Sequence, residues 1–494
     1  MLHGREFVPQ VSQGRALHVI HFSITRTSLA LSYIEGMFLA LLLTLSAPPD
    51  WVPARWRWLE TRTLDLLRGT PVNCLLIDWD SQQKAQAATF AAAAAEKGIV
   101  TLAVIRPGID PSEPARDAIH AKLTGVVLEG DFAKEAADRV KAAITPAPII
   151  ELTLRSRMPL GTDAPVIGTY QGVWPGIPVM EDGAAKAGPS GSPWINTNAG
   201  FLRAARAFGS STVWIANLPP PKTAIPNENY AQVIGDAAMV GARWVIALDD
   251  DLARRIHDGD KAALDQWTRI ARQLDFYESH RDWRTFRPYG KLAVVQGIGD
   301  GALLSGGILD MMGARHTPVL FVPPDRLRPG TLTGATMAVD VDAASLTPEQ
   351  RDTLKAFTRA GGTLLTGPAD WKESAATKPD QITLDDAQTK RLDDIWHDIN
   401  SMIGRGNLGA RLFNVSSMLS NLLVSPDGKQ ILVHLVNYSN YPVDSVTVHV
   451  LGDFHQATLY RPESPEKKLE TYKAEDGTGV DIDLVNVSAT LRLE

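Results

Sequence analysis

Cysteine is nearly absent from this sequence, which has one, Cys74, in 494 residues. A single cysteine excludes an intrachain disulfide, and it excludes metal clusters built from several thiolates. Because Cys74 lies within an apolar run, we expect a buried structural thiol. The 11 histidines include no pair with the spacing of a zinc-binding helix. The sequence therefore predicts neither a metal nor a cofactor.

An excess of positive charge is also absent. The chain has 49 Lys and Arg against 56 Asp and Glu, a formal net charge of −7. Nucleic-acid backbones are bound by clustered Lys and Arg, and no basic stripe occurs along this chain, so we expect no nucleic-acid partner. The hydrophobic content of 44% and charged content of 21% are typical of globular proteins, and the length predicts several domains.

The apolar run at residues 37–47 is too short to span a bilayer. It ends in small residues before Pro48 and Pro49, which is typical of the apolar core of a secretory signal peptide. The nearest upstream basic residue is Arg26, which fits a true start at Met37. We therefore predict a signal-like or disordered segment over residues 1–50 and a periplasmic or extracellular protein. A buried N-terminal segment is the alternative.

Short β-rich runs alternate with helical stretches from residue 51 to residue 289. Most of these runs are continuous in Val, Ile and Leu, as expected of parallel strands covered on both faces. Eight runs with helices between them predict a (β/α)₈ TIM barrel over residues 51–289, with a doubly wound open sheet as the alternative. The predicted strands are residues 51–58, 72–79, 99–106, 124–129, 148–154, 165–170, 212–217 and 242–249.

The pattern changes after residue 289. Residues 290–372 predict a small α/β domain of flavodoxin-like character, and its last helix ends at Gly361-Gly362, where glycine favours a left-handed cap. A polar connector follows over residues 373–400. Residues 401–494 contain short strands separated by Gly, Asp and Pro turns, which predict a C-terminal β-sandwich.

This domain order resembles that of glycoside hydrolase family 42 β-galactosidases and related clan A enzymes. The sequences His-Leu-Val-Asn-Tyr at 434–438 and Tyr-Pro-Val at 441–443 resemble a strand of their sandwich. Gly-Gly-Thr-Leu-Leu at 361–365 resembles a turn of their middle domain. The resemblance implies a glycosidase whose substrate is a polysaccharide or oligosaccharide. It also implies a homo-oligomer formed through the flavodoxin-like domain.

Glycoside hydrolysis generally needs two carboxyl groups, which in a barrel lie at the C-terminal ends of strands. The resemblance implies an acid/base at the end of the fourth strand, where this chain has Glu129, although Leu128 stands where clan A usually has asparagine. Clan A enzymes carry the nucleophile at the end of the seventh strand, which here ends at Asn217 without a carboxylate. Asp249 and Asp250 at the end of the eighth strand are therefore the candidates for the second catalytic carboxylate.

These carboxylates also have structural interpretations. Glu129 can cap the following helix, and one residue of the 249–251 run can be a helix N-cap. Glu151 lies among apolar residues, so we expect it to point into the barrel and pair with an arginine such as Arg155. Without a catalytic pair, the chain would be a catalytically degenerate barrel that binds carbohydrate or serves as a scaffold.

The long loop after the sixth strand is rich in tryptophan and asparagine. Indole rings stack on sugars and amides bond to hydroxyl groups, and long loops are often functional. We expect sugar contacts here and at neighbouring strand ends; the alternative is that these side chains pack the loop and cap the next helix. The predicted substrate-binding residues are Asp78, Trp79, Tyr170, Gln171, Trp174, Trp194, Asn196, Asn198 and Asn217.

Overall fold

The structure is a computed structural model that describes most of the chain from residue 48 onward. The described ranges are 48–108, 110–175, 179–181, 184–186, 198–297, 312–313, 315–341, 343–367, 386–415, 417–439, 441–475 and 477–494. The predicted signal-like run at residues 37–47 lies outside them, as do Trp194 and Asn196.

Eight parallel strands form the first sheet, and their order in the sheet is their order along the chain. The Arg55 amide donates to the Ile246 carbonyl at 2.7 Å, and the Ile246 amide donates to the Pro53 carbonyl at 3.3 Å. These bonds join the first strand to the chain after the eighth, so the sheet is a TIM barrel, as predicted, and not an open sheet. The strands are β1 Pro53–Arg55, β2 Cys74–Asp78, β3 Val100–Ile105, β4 Gly125–Glu129, β5 Ile149–Thr153, β6 Val166–Thr169, β7 Thr212–Ile215 and β8 Arg243–Trp244.

Helices cover the outside of this barrel. Several begin at a side chain that satisfies the free amides of a first turn; the Asp260 carboxylate, for example, accepts from the Ala263 amide at 2.9 Å. The helices are α1 Lys84–Glu96, α2 Ser112–His120, α3 Lys134–Ile144, α4 Ala199–Phe208, α5 Asn227–Ala238, α6 Asp250–His257 and α7 Lys261–Ser279.

The apolar residues of the barrel strands divide into two clusters because successive side chains of a strand point to opposite faces. Leu75 and Ile77 face the surrounding helices, whereas Cys74, Leu76 and Trp214 belong to a separate cluster that fills the barrel interior. Burial raises the pKa of the Cys74 thiol well above its ordinary value. The thiol is therefore a packing group inside the barrel, as expected from the sequence.

A four-stranded parallel sheet follows the barrel, with strands β9 Leu292–Val295, β10 Val319–Val322, β11 Met337–Asp340 and β12 Thr363–Thr366 in the order β10-β9-β11-β12. Helix α8, Pro348–Arg359, begins with a capping box in which Thr347 and Gln350 bond to each other's backbone amides. Helix α9, Asp386–Ile403, occupies part of the predicted connector and packs isoleucines against this sheet. The arrangement agrees with the predicted α/β layer.

Two antiparallel sheets form the C-terminal sandwich. Their strands are β13 Ala410–Phe413, β14 Met418–Val424, β15 Ile431–Asn437, β16 Val443–Leu451, β17 Ala457–Arg461, β18 Ser464–Leu469, β19 Tyr472–Ala474, β20 Gly477–Val485 and β21 Ser488–Leu493. One sheet has six strands, in the order Arg287–Pro288, β14, β15, β21, β17, β18, and the other has the order β13, β16, β20, β19. The segment Arg287–Pro288 pairs with β14 although it precedes the middle sheet in sequence.

The six-stranded sheet packs on the barrel through α5 and α7. Leu432 and Val436 of β15 belong to the same apolar cluster as the barrel helices. The Gln273 amide donates to the Ser488 hydroxyl at 2.8 Å. On α5, a side chain at Gly235 would approach Val436 to 3.3 Å, so glycine allows the helix to lie close to the sheet.

A buried ion cluster lies at the N-terminal end of the barrel. Glu278 of α7 accepts two bonds of 2.9 Å from Arg243 and one of 2.5 Å from Arg284. Burial disfavours the charged form of this carboxyl, but the bonds and charges of the two arginines outweigh that effect and hold the pKa of Glu278 below its ordinary 4.5. The cluster ties β8 to α7 and to the turn that follows.

Replacing Glu278 with glutamine should destabilise the barrel, because the buried Arg243 and the partly buried Arg284 would lose their counter-charge. At neutral pH we expect the free energy of unfolding to fall by about 3 kcal/mol, seen as a fall of about 3 to 6 °C in Tm. The lowered pKa means that the stabilisation is complete above pH 4.5 and is lost as the pH falls through the folded-state pKa. Calorimetry across pH should therefore show the difference between wild type and E278Q shrinking in acid.

The matched control is Asp65→Asn, which removes an exposed carboxylate paired with Arg68 and Lys97 at 3.4 Å. Exposed pairs contribute little, so D65N should keep the wild-type Tm. An E278Q protein that is as stable as D65N at neutral pH would contradict the structural role of this cluster.

Candidate functional site

Four charged residues lie together at the barrel mouth, the end of the barrel formed by the carboxyl ends of its strands. Arg55, Asp78 and Glu129 are the last residues of β1, β2 and β4, and Arg106 directly follows β3. We call these four residues the mouth cluster. Three of them stand two positions after residues of the interior cluster, so the alternation of the strands directs them into the mouth. Those interior residues are Leu76, Val104 and Val127.

Glu129 is the centre of the mouth cluster. Its side chain is buried, with 8% of the residue exposed, and its carboxylate accepts a hydrogen bond from the Arg55 guanidinium. The same Arg55 nitrogen donates to the Ala216 carbonyl at 2.9 Å. Arg55 therefore crosses the mouth and ties the end of β4 to the chain after β7.

Arg106 brings a second carboxylate to Glu129. Its Nη2 atom lies 2.9 Å from Asp78 Oδ1 and 3.3 Å from Glu129 Oε1. Because both oxygens contact one nitrogen, they lie no more than about 6 Å apart, which is compatible with the roughly 5–5.5 Å spacing of retaining glycosidases. The structure thus joins Glu129, which the sequence predicts to be catalytic, to Asp78, which it predicts to bind substrate.

Asp249 has a structural role at the start of α6. Its Oδ1 accepts from the amides of Asp251 and Leu252 at 3.1 and 3.0 Å. Its Oδ2 accepts from the Tyr230 hydroxyl at 3.0 Å and the Ile225 amide at 3.2 Å. Both oxygens are used in holding the fold, so the helix-cap interpretation replaces the prediction that Asp249 is a catalytic carboxylate.

Asp250 lies in an exposed ion pair. Its carboxylate contacts the Arg57 guanidinium at 2.8 Å, and both side chains are largely solvent-accessible. Arg57 follows β1, so this pair also lies at the mouth end of the barrel. The structure pairs Asp250 with Arg57, whereas it joins Asp78 to Glu129 through Arg106.

Glu151 points away from the barrel interior. Its neighbours Ile150 and Leu152 belong to the interior cluster, and its carboxylate pairs with Lys141 of α3 at 2.6 Å. The prediction that Glu151 points inward and pairs with Arg155 is wrong, because a central strand residue flanked by two inward side chains must face the helices.

Asn198 anchors the loop that follows β6. Its oxygen accepts from the Val173 amide at 2.9 Å and from Arg155 at 2.7 Å. Its amide nitrogen donates to Val173 O at 3.1 Å and to Asp236 at 2.9 Å. Asn198 is fully buried, so the loop-packing alternative replaces the prediction of sugar contact.

Gln171 has a similar role, because its side-chain oxygen accepts from the Arg155 amide at 2.8 Å and the residue is buried. It too holds the loop and presents little surface to a ligand.

Trp174 belongs to the core. Its indole N–H donates to the Leu218 carbonyl at 3.0 Å, and its ring packs edge-to-face against Tyr230 and Trp244. With the residue only 4% exposed, the prediction that Trp174 stacks on a sugar is corrected to a packing role.

Three predicted binding residues lie at the mouth end of the barrel without being deeply buried. Trp79 follows β2 and Tyr170 follows β6, and both are half-buried. Asn217 follows the end of β7 and donates to the Gly172 carbonyl at 2.9 Å. Trp79 packs against the helix-facing apolar cluster, while Trp194 and Asn196 lie outside the described residues.

Arg55 and Arg106 are the site residues that the sequence-based predictions missed. The available signal was strand alternation: Arg106 stands two positions after the interior residue Val104, and Arg55 stands four positions after the interior residue Trp51. A buried carboxylate requires a cationic or hydrogen-bonding partner, so arginines at neighbouring strand ends are expected beside Glu129.

Within the described part of the chain, no three His, Cys, Asp or Glu side chains are grouped as a metal site would require. Of the helices that the structure describes, none combines the length and apolarity needed to cross a bilayer.

Comparison with known proteins gives similarity of fold. No protein-family model and no curated protein matches the sequence. Among solved structures, α-L-fucosidase isoenzyme 2 from Paenibacillus thiaminolyticus matches over 90% of this chain and 99% of its own, with a TM-score of 0.60 and 10% identity. A β-galactosidase from Rahnella sp. R3 matches over 89% of this chain and 99% of its own, with a TM-score of 0.51 and 9% identity. The chain therefore shares the barrel-based fold of these glycoside hydrolases.

Proposed function

We propose that this protein is a glycoside hydrolase that cleaves an oligosaccharide or polysaccharide at the barrel mouth. The observation that supports the proposal is the pair Asp78 and Glu129, whose carboxylate oxygens lie within about 6 Å of each other. Two carboxyl groups on either side of the scissile bond are what this reaction generally requires. The similarity of fold to a fucosidase and a β-galactosidase and the resemblance to family 42 in domain order agree with it.

The surroundings of the two carboxylates favour different roles. Glu129 is buried and hydrogen-bonded to two guanidinium groups, an arrangement that suits a carboxylate acting as an anion toward the sugar. Asp78 is exposed, so the leaving oxygen of a substrate can reach its carboxyl group from the solvent side. We therefore assign the nucleophile to Glu129 and the acid/base to Asp78, in place of the acid/base role that the resemblance implies for Glu129.

Arg106 lies between the two carboxylates, where the glycosidic oxygen would have to enter. Its side chain is about half exposed, and one terminal nitrogen makes both contacts. Substrate binding then requires Arg106 to swing outward, where it can donate to a sugar hydroxyl. Trp79, Tyr170 and Asn217 are the remaining candidates for contacts to the sugar.

A catalytically degenerate, carbohydrate-binding barrel is the second candidate function. The position of Arg106 favours this function, because an arginine held between the two carboxylates by ion pairs would occupy the space that the glycosidic bond needs. The two candidates differ in one measurable property, which is turnover.

Two further proposals follow from the sequence. We propose that the protein is exported, on the basis of the run at residues 37–47, and that copies associate through the middle α/β domain. N-terminal sequencing of protein recovered from cell fractions tests export. Light scattering of the purified chain tests association.

Glu129→Gln and Asp78→Asn should each abolish hydrolysis. Removing either member of the pair eliminates one chemical step, so we expect kcat/KM to fall by about a thousandfold. The measurement is a panel of aryl glycosides, with galactosides and fucosides included, followed by the same variants on the substrate that the wild type hydrolyses.

The matched control is Glu151→Gln, the same chemical change on the neighbouring strand but on its outer face, and it should keep wild-type activity. Asp250→Asn tests the rival second carboxylate. If D250N loses activity and D78N does not, the pair assigned here is wrong. If the wild type hydrolyses none of the glycosides or polysaccharides, the degenerate barrel is the better function.

The product should keep the anomeric configuration of the substrate. The spacing of about 6 Å or less between the carboxylate oxygens leaves too little room for a water molecule between carboxylate and sugar. Proton NMR during the first minutes of hydrolysis identifies the anomer released. Initial release of the inverted anomer would require a more distant second carboxylate and would argue for Asp250 over Asp78.

A further inference from the structure

The outer face of the four-stranded sheet of the sandwich is turned away from the barrel. The six-stranded sheet contacts the barrel helices through Leu432 and Val436. The opposite side chains of the same strand, Val433 and Leu435, pack against the four-stranded sheet in the sandwich interior. The six-stranded sheet is therefore covered on both faces, whereas no layer among the described residues covers the outer face of the four-stranded sheet.

Aromatic and polar side chains on that face are aligned by the strand register. Arg411 of β13, His449 of β16, Gly479 of β20 and Tyr472 of β19 form one row across the sheet. Phe413, Thr447 and Asp481 form the next row. We call these seven residues the aromatic patch.

Two rings of the aromatic patch are exposed. Phe413 is 44% exposed and Tyr472 is 41% exposed, and they are two of the five large apolar side chains that are exposed among the described residues. Tyr472 lies across Gly479, since a side chain there would collide with the tyrosine ring. The ring thus rests on the sheet and presents its other face to solvent.

Hydrogen-bonding groups lie between and beside the two rings. The Asp481 carboxylate accepts from the Thr447 hydroxyl at 2.7 Å and from the Tyr472 hydroxyl at 3.2 Å. The His449 ring lies between the two aromatic rings, with centroids 5.0 Å from Phe413 and 5.9 Å from Tyr472. The centroids of the two exposed rings are thus no more than about 11 Å apart, roughly the length of a disaccharide. Thr447, His449 and Asp481 lie beside or between the rings.

We propose that the aromatic patch is a second carbohydrate-binding site, which holds a polysaccharide chain by stacking on Phe413 and Tyr472. Flat rings attract the apolar faces of sugars, while Asp481, Thr447 and His449 can bond to their hydroxyl groups. The two rings pack on their neighbours in the sheet, and Phe413 and Tyr472 remain 44% and 41% exposed, which leaves ring surface open to a ligand. The ligand class rests on the proposed function, and the site itself is separate from the barrel mouth.

Affinity electrophoresis of the full chain in native gels tests the proposal. The gels contain galactan, arabinoxylan or mixed-linkage β-glucan, and retardation gives an association constant. We expect at least one polysaccharide to retard the wild type, and F413A/Y472A to weaken the association about tenfold or more. Tyr472→Phe keeps the stacking ring and should keep most of the binding.

The matched control is Tyr441→Ala, which removes a 63% exposed tyrosine of the same domain outside the patch, and it should bind like the wild type. E129Q should also bind like the wild type while losing turnover, so failure of the patch and failure of the proposed catalysis give different results. Wild-type protein retarded by none of the three polysaccharides would overturn the proposal. So would F413A/Y472A that folds with the wild-type Tm and binds as the wild type does, or loss of binding in Y441A to the same extent.

Discussion

Closure of the barrel through the backbone bonds between β1 and Ile246 is the constraint on which the site depends. β1 is three residues long and is held on one side by β2 and on the other by the chain after β8. That position fixes the direction of Arg55, whose guanidinium reaches Glu129 on β4 and the carbonyl of Ala216. In an open sheet the ends of β1 and β4 would lie apart, and Glu129 would be buried without the Arg55 guanidinium beside it.

Burial of Glu129 in turn requires its arginines. A carboxylate removed from water is stable only when charge and hydrogen bonds replace the lost hydration. Arg55 contacts Glu129 where both side chains are only 9% exposed, whereas Arg106 is about half exposed and shared with Asp78. Glu129 therefore has one buried and one exposed cationic partner. In the proposed function, a sugar takes the place of Arg106 while Arg55 stays beside Glu129.

The sequence was sufficient for the fold because the barrel depends on patterns that a single chain displays. Continuous apolar runs mark the strands of the closed sheet, and each predicted run contains an observed strand. Glu129 and Asp78 were identifiable as strand-end carboxylates.

What the sequence could not give is the partner of each polar side chain. Asp249 at a strand end can be a catalyst or a helix cap, and the choice depends on Tyr230, a residue 19 positions away. Trp174 and Asn198 have the composition of a sugar site, yet three-dimensional contacts with Trp244 and Asp236 make them part of the core. Such pairings are set by tertiary packing, which composition does not encode.

Burial periodicity explains why the two sheets of the sandwich have different surfaces. Every residue of β15 is buried, and its odd and even positions face the sandwich interior and the barrel respectively. In β16, buried residues alternate with partly exposed ones, because no layer among the described residues covers one face of that strand. β15, which is buried throughout, thus belongs to the six-stranded sheet that packs on the barrel. β16, in which buried and partly exposed residues alternate, belongs to the four-stranded sheet. Phe413 and Tyr472 place aromatic rings at exposed positions of the four-stranded sheet, where a strand face in water is ordinarily polar, and these are the rings on which we propose that a polysaccharide stacks.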